Sequence, residues 1–255
     1  MRQTPSSPRL RDNSSSGFSL IELMVSTVIF TLVVGMVFLI LAMSQKSYNS
    51  EKELMTAFQQ ANIAMDQVTR DIHTTGYPPF NSFNTSVATA NPTKVALPFA
   101  WSPSYPATPC TVGVTCAVPG DYDMILEEDL GNGVQWIRYS LQGTTLMRGM
   151  TPKVAGVDPA TTTAPVLISY LDNVMNNGSL AQMTAIRQAY PSMFPGNTPV
   201  PVFTYTYATG TPAQPSNISA VNVTLIVQSP YLDQQTRTVR VAVLTGQAAV
   251  FNPNQ

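Results

Sequence analysis

Charge is scarce in this chain of 255 residues. Its 13 Lys and Arg, 14 Asp and Glu and one His leave a formal net charge of -1, and charged residues make up 11% of the total, where about 25% is usual for a soluble protein. With no basic excess, broad electrostatic capture of nucleic acid is not supported as the main activity. One His and two Cys exclude a His-rich metal cage, a four-cysteine zinc site and a multi-disulfide scaffold. An acidic or serine-based site remains arithmetically open, but His73 has no Ser or Cys motif around it. No Lys follows a Gly, which removes the P-loop, and Gly131-x-Gly133 lacks the third glycine of a dinucleotide fingerprint.

What the chain does have is an uneven distribution of apolar residues. Residues 1–17 are polar, with Arg2, Arg9 and Arg11 against Asp12, and read as a leader. The composition changes abruptly at Phe18, and Leu23 to Met43 contains no charge at all. At about 1.5 Å per residue that run spans roughly 31 Å, the thickness of a bilayer's hydrocarbon core. The far flank, Lys46, Glu51, Lys52 and Glu53, cancels its own charge. The positive-inside rule therefore places the N-terminus in the cytoplasm and the remainder outside. The span is too long for a secretory signal peptide and no A-x-A site follows it, so it is expected to stay attached.

The helical pattern continues past the membrane. Leu54, Phe58, Ala61, Met65, Val68 and Ile72 recur at spacings of three and four, a one-sided apolar stripe. Glu53, Gln59, Gln60, Asn62, Asp66, Gln67, Arg70 and Asp71 form the expected polar face, and Gly76 with Tyr77-Pro78-Pro79 ends the helix. The spacing predicts one helix over about Phe18 to Thr75, its stripe packing into a core. Too few heptads are present for a coiled coil.

Glu22 lies just inside the apolar run. A carboxylate at mid-bilayer costs about 3 kcal/mol on insertion scales and less near an interface, so it either snorkels to headgroup depth or has a partner. Gly17-Phe18-Ser19-Leu20-Ile21-Glu22-Leu23-Met24-Val25 resembles the class III signal of type IV pilins and type II secretion pseudopilins. The resemblance implies cleavage after Gly17 by a membrane prepilin peptidase and N-methylation of the new terminus at Phe18. It also implies that Glu22 pairs with the Phe18 amine of a neighbouring subunit. Such a pair is strong when both partners are desolvated. Ser16 stands where many members carry Lys or Arg.

A second resemblance narrows the branch. The run Ala64 to Tyr77, with Arg70-Asp71-Ile72-His73 leading to Gly76-Tyr77, is similar to the end of the long helix in PilW-type minor pilins. His73 stands where Arg is common there, and Thr75 where Ala is. Trp136-Ile137-Arg138-Tyr139-Ser140-Leu141, Gly143 and Leu146-Met147-Arg148 resemble a hairpin shared by PilW and J-type pseudopilins.

Residues 77–119 hold eight prolines among many Ser, Thr and Asn and read as irregular, with short strands at most near Lys94 to Leu97. Cys110 and Cys116 lie there as C-x5-C. In an oxidising compartment a disulfide would close a small loop, contributing about 2 kcal/mol on the chain-entropy estimate. Free thiols or a metal site are the alternatives. Beyond it, Asp123 to Glu127, Val134 to Leu141 and Thr145 to Met150 read as a meander with glycine-bearing turns. Further strands are expected at Val166 to Tyr170 and Val202 to Tyr207, around a short helix at Ser179 to Gln188. The alternations Val221-Val223-Leu225-Val227 and Val239-Val241-Val243 predict a closing pair.

Asp121, Asp123, Glu127, Glu128 and Asp129 form the best remaining cluster. Strand alternation places Asp123, Glu127 and Asp129 on one face, a weak candidate oxygen cage for calcium against the plainer reading of a solvated acidic strand end. Residues 76–255 carry seven Lys and Arg and eight Asp and Glu without a basic cluster. Tyr205 and Tyr207 lack flanking cations, so they read as packing residues and no clear nucleic-acid site emerges.

Together these readings give an α+β chain resembling type IV pilins: a long N-terminal helix, membrane-spanning in its first half, packed on an antiparallel β-sheet head. The expected parts are a cytoplasmic leader (1–17), the helix (18–75, transmembrane over 18–43) and an exported head (76–255). The resemblance implies a minor pilin, a structural subunit without catalytic residues or cofactor. Its partners would be other pilin subunits, the prepilin peptidase and the pilus assembly platform, in the inner membrane and then in a surface pilus. A J-type pseudopilin of type II secretion and a membrane-anchored surface- or DNA-binding module are the alternatives.

Overall fold

A computed structural model describes residues 17, 19–79, 82, 94–96, 99–101, 119–154, 165–176, 181–211, 213, 215–233 and 237–251. Phe18, the leader before Gly17, and both Cys110 and Cys116 lie outside the described residues. Two compact units divide the chain, Met1–Tyr48 and Asn49–Gln255, and the division falls inside the first helix.

Helix α1 runs over Leu20–Thr74, close to the expected span. Its uncharged stretch contains hydroxyl residues that carry their own solution to an apolar setting. Ser26 donates to the carbonyl of Glu22 (2.8 Å), Thr27 to that of Leu23 (2.7 Å) and Thr31 to that of Thr27 (2.5 Å), so no hydroxyl needs water. At the other end Gly76 takes φ +76°, a left-handed conformation that glycine adopts without a Cβ clash.

Two antiparallel sheets follow. The first is a meander in sequence order: β1 (Phe99–Trp101), β2 (Asp123–Asp129), β3 (Val134–Gln142), β4 (Thr145–Pro152) and β5 (Ile168–Leu171). The second is β6 (Phe203–Tyr207), β7 (Ile218–Gln228) and β8 (Val241–Ala249). A short helix α2, Ala181–Ala189, precedes β6. At the β2–β3 turn the Asp129 Oδ1 accepts the amides of Gly131 (2.7 Å) and Gly133 (3.0 Å).

Ala61, Ala64, Met65, Val68 and Ile72 of α1 share one buried cluster with residues of both sheets, including Met124, Leu126, Ile137, Tyr139 and Leu146 from the first and Val221, Val223, Leu225, Leu244 and Ala248 from the second. This covers the apolar faces that helix stripe and sheets would otherwise show to water. The opposite face of β7 presents Ile226 to a smaller cluster with Met175, Met183 and Phe194. A Cβ on Gly149 would meet the Val166 carbonyl oxygen at 2.3 Å, so the segment leading into β5 passes β4 where only glycine leaves room.

Several expectations are corrected. The stripe is buried from Ala61 onward, whereas Phe58 is 41% exposed and Leu54 only half-buried. Asp71, assigned to the polar face, is buried at 1% exposure. The expected strand near Lys94 to Leu97 is displaced: β1 begins at Phe99, while Val95 and Ala96 are buried without strand pairing, Ala96 donating its amide to the Pro78 carbonyl (2.9 Å). In β8 the residues entering the main cluster are Leu244 and Ala248, and Val243 is exposed. The alternation Val239-Val241-Val243 marks the outer face, and Val241 packs on the smaller cluster under α2.

Candidate functional site

The functional candidates fall on α1 and on the sheet residues that hold its second half. In the first half the large apolar side chains from Leu20 to Met43 are exposed, except for a half-buried Val34. It is long and apolar enough to cross a membrane, and none of its most hydrophobic window is buried within the chain. Gly17 precedes the helix, and Glu22 occupies its first turn. Among the described residues the Glu22 Oε2 accepts the exposed Ser19 amide at 3.4 Å, a long contact that leaves the carboxylate open to a better partner.

The second half ends in a buried polar network. Asp71 accepts from Tyr139 Oη (2.6 Å), Arg148 Nη2 (2.9 Å) and Gln67 Nε2 (2.5 Å). Arg148 Nε also donates to Tyr139 Oη at 2.9 Å, and its guanidinium lies 5.6 Å from that ring's centre. An ionised Asp buried against a guanidinium and a phenol has the charged, bonded surroundings that such a group needs inside a protein. Burial, chiefly, pushes the Tyr139 hydroxyl well above its ordinary range, the Asp71 charge adding to it. Tyr139 is therefore a neutral donor.

Glu128 lies beside this network and is 2% exposed. Its Oε2 contacts the Thr74 hydroxyl, and its Oε1 is buried without a hydrogen-bond partner among the described residues. Burial first, and Asp71 further, raise its carboxyl to about 7, against the opposing effects of Thr74 and Arg148. The backbone closes the same junction: Gly76 donates to the Glu127 carbonyl (2.8 Å) and Asp129 to that of Tyr77 (3.0 Å). His73 turns the other way. Its Nδ1 bonds the Ala249 carbonyl at 2.8 Å and its ring stacks on Phe251.

The calcium candidates do not converge. Asp123 is held by Arg138 through two bonds of 3.0 and 2.5 Å and by Ser140. Glu127, fully buried, meets Lys153 Nζ at 2.6 Å and Trp136 Nε1 at 2.8 Å, and Asp129 caps its turn. Each carboxylate has its own cation or amide. Among the described residues no group of three His, Cys, Asp or Glu side chains is placed to hold a metal ion. Tyr205 is a packing residue, edge-on to Phe99, with its hydroxyl donating to the Gly120 carbonyl at 3.0 Å.

Sequence reading missed the network around Asp71. A signal for it was present in the helical spacing: Asp71 follows Ala64 by seven and Val68 by three residues, which puts it on the buried side of the helix. The helix end over residues 64–77 and the β3–β4 hairpin, far apart in sequence, contribute Asp71 on one side and Tyr139 and Arg148 on the other.

Among known proteins, residues 12–38 match the prokaryotic N-terminal methylation motif, a stretch that includes Gly17, Phe18, Glu22 and much of the uncharged run. Neither curated proteins nor solved structures match the chain significantly. The chain thus carries a prokaryotic N-terminal methylation motif on an α+β fold of the type IV pilin kind, one long apolar helix with antiparallel sheets packed on its second half.

Proposed function

We propose that this chain is a minor pilin of PilW type: a structural subunit made as a prepilin, cut between Gly17 and Phe18, methylated at Phe18, and incorporated into or priming a type IV pilus. The observation that carries the reading is the methylation motif running into an apolar helical stretch whose most hydrophobic window none of the described residues buries. At about 1.5–3 kcal/mol for each large apolar side chain withdrawn from water, such a stretch must lie in lipid or against other helices. Before assembly it anchors the prepilin in the inner membrane, N-terminus in the cytoplasm and head outside. During assembly it moves from lipid into a bundle of like helices.

In this scheme Glu22 sets the register. Cleavage frees an amine at Phe18, four positions before Glu22, and the carboxylate of one subunit meets the amine of the next in an apolar layer, where the attraction is strong. The prepilin peptidase and the assembly platform are the partners this requires. The Asp71–Tyr139–Arg148 network, built from both PilW-like segments, supports the branch. The hairpin is equally similar to J-type pseudopilins, and neighbouring genes, pilus or secretion components, separate the two machines.

Mass spectrometry of the protein from a host with an active prepilin peptidase tests the core of the proposal. The mature chain is expected to begin at methylated Phe18. An intact Met1 terminus in such a host overturns it.

A further inference from the structure

The junction between the end of α1 and strand β2 holds two buried carboxyl groups, Asp71 and Glu128, at 1% and 2% exposure. The one cation of that network is Arg148, and it is already bonded to Asp71. A second negative charge there would be unpaired, at a cost that burial makes large.

The hydrogen-bond accounting points to the same protonation state. The Thr74 hydroxyl has a single hydrogen. It lies 3.0 Å from the Arg70 carbonyl, the back-bond that a hydroxyl makes within a helix. The same hydroxyl also donates toward Glu128 Oε2, so its one hydrogen is divided between the Arg70 carbonyl and the carboxyl and cannot fully bond either. The other oxygen, Oε1, is buried and has no bonding partner among the described residues, a tolerable state for a neutral carbonyl oxygen and a poor one for a carboxylate.

Among the described residues no other charged group offsets this. Facing Glu128 are Thr74 and Asp71 from α1 and Arg148 from β4, while Tyr139 on β3, a neutral phenol, bonds Asp71 and Arg148. Arg70 is exposed, and His73 is turned to Ala249 and Phe251. Glu127, the neighbour in β2, bonds Lys153 and Trp136, and Tyr77 meets β2 through its backbone carbonyl.

We propose that Glu128 is a neutral acid in the folded head, and that its ionisation releases the end of α1 from β2, making this junction a pH-sensitive latch. The carboxyl raised to about 7 agrees with the geometry. The direction follows from linkage: a buried acid held protonated binds more protons than the opened form, so the latch weakens as pH rises from the ordinary carboxylate range toward 7, and above that the loss is complete. Were opening to return Glu128 to an ordinary value, the opening constant would rise about 30-fold between pH 5.5 and 8.5.

The test uses the full-length protein in detergent micelles. With glutamate carboxyl carbons labelled, five Glu resonances are present. One is expected to titrate near neutrality in the wild type and to vanish in Glu128→Gln. Amide exchange at Gly76 and Asp129, corrected for intrinsic base catalysis, should speed up across the same pH interval in the wild type and stay flat in Glu128→Gln. All five carboxyls titrating in the ordinary range would overturn the proposal, and so would identical exchange profiles in the two proteins. If the Gln variant does not fold, the wild-type titration decides alone.

Discussion

Replacing Asp71 by Asn keeps the side chain's size and removes the charge at the centre of the network that ties α1 to β3 and β4. Asp71 is 1% exposed, Tyr139 is fully buried and the Arg148 side chain is 18% exposed. Breaking a buried ion pair costs about 3–5 kcal/mol because it strands the surviving charge. Water reaches part of Arg148, which puts the expected loss at the lower end, about 3 kcal/mol, or roughly a hundredfold in the unfolding equilibrium. Urea unfolding of the full-length protein in a non-denaturing detergent, followed through the fluorescence of buried Trp136, measures it. The double variant Asp71→Asn/Arg148→Met should lose less than the sum of the single losses by at least about 1 kcal/mol, since it no longer buries an unpaired guanidinium. A single-variant loss under about 1 kcal/mol, or strict additivity, refutes the idea that this pair holds helix to sheet.

Two further outcomes test other parts of the account. Gly149→Ala places a methyl group 2.3 Å from the Val166 carbonyl oxygen; backbone must move, and a loss of about 2 kcal/mol is expected in the same unfolding assay, whereas wild-type stability would show that residues 165–166 do not press on β4. Glu22→Val should insert in the membrane as well as the wild type and be cleaved, yet fail to co-purify with sheared filaments; normal incorporation removes Glu22 from register setting.

Much of the architecture was legible from spacing. The uncharged run, the three-and-four stripe and the β2–β3–β4 meander come from periodicities that backbone geometry imposes. What escaped was set by partners distant in the chain. Asp71 was assigned outward because a polar residue defaults to solvent, and its partners Tyr139 and Arg148 are 68 and 77 residues away. The acids of β2 suggested a cation site because their cations, Arg138 and Lys153, lie 15 and 26 residues along and meet them only once strands pair. The short β1 fell beyond reach for another reason. It has three residues and an irregular register against β2, too few for an alternation to register. In β8 the valine rhythm was real but belonged to the outer face, because the inward positions carry small Gly246 and Ala248 close under α1.

The last strand deserves one more thought in terms of how the molecule is made. Gly246 lies against Met65, and Ala249 receives the His73 ring from across 176 residues of sequence. The stripe on α1 is therefore left uncovered on one side until β8 arrives. During synthesis from the N-terminus that side of the helix stays open until residues 241–249 have been added, and a chain interrupted before Leu244 offers it to proteases or to a chaperone. Addition of β8 is the event that closes the core over this side of α1.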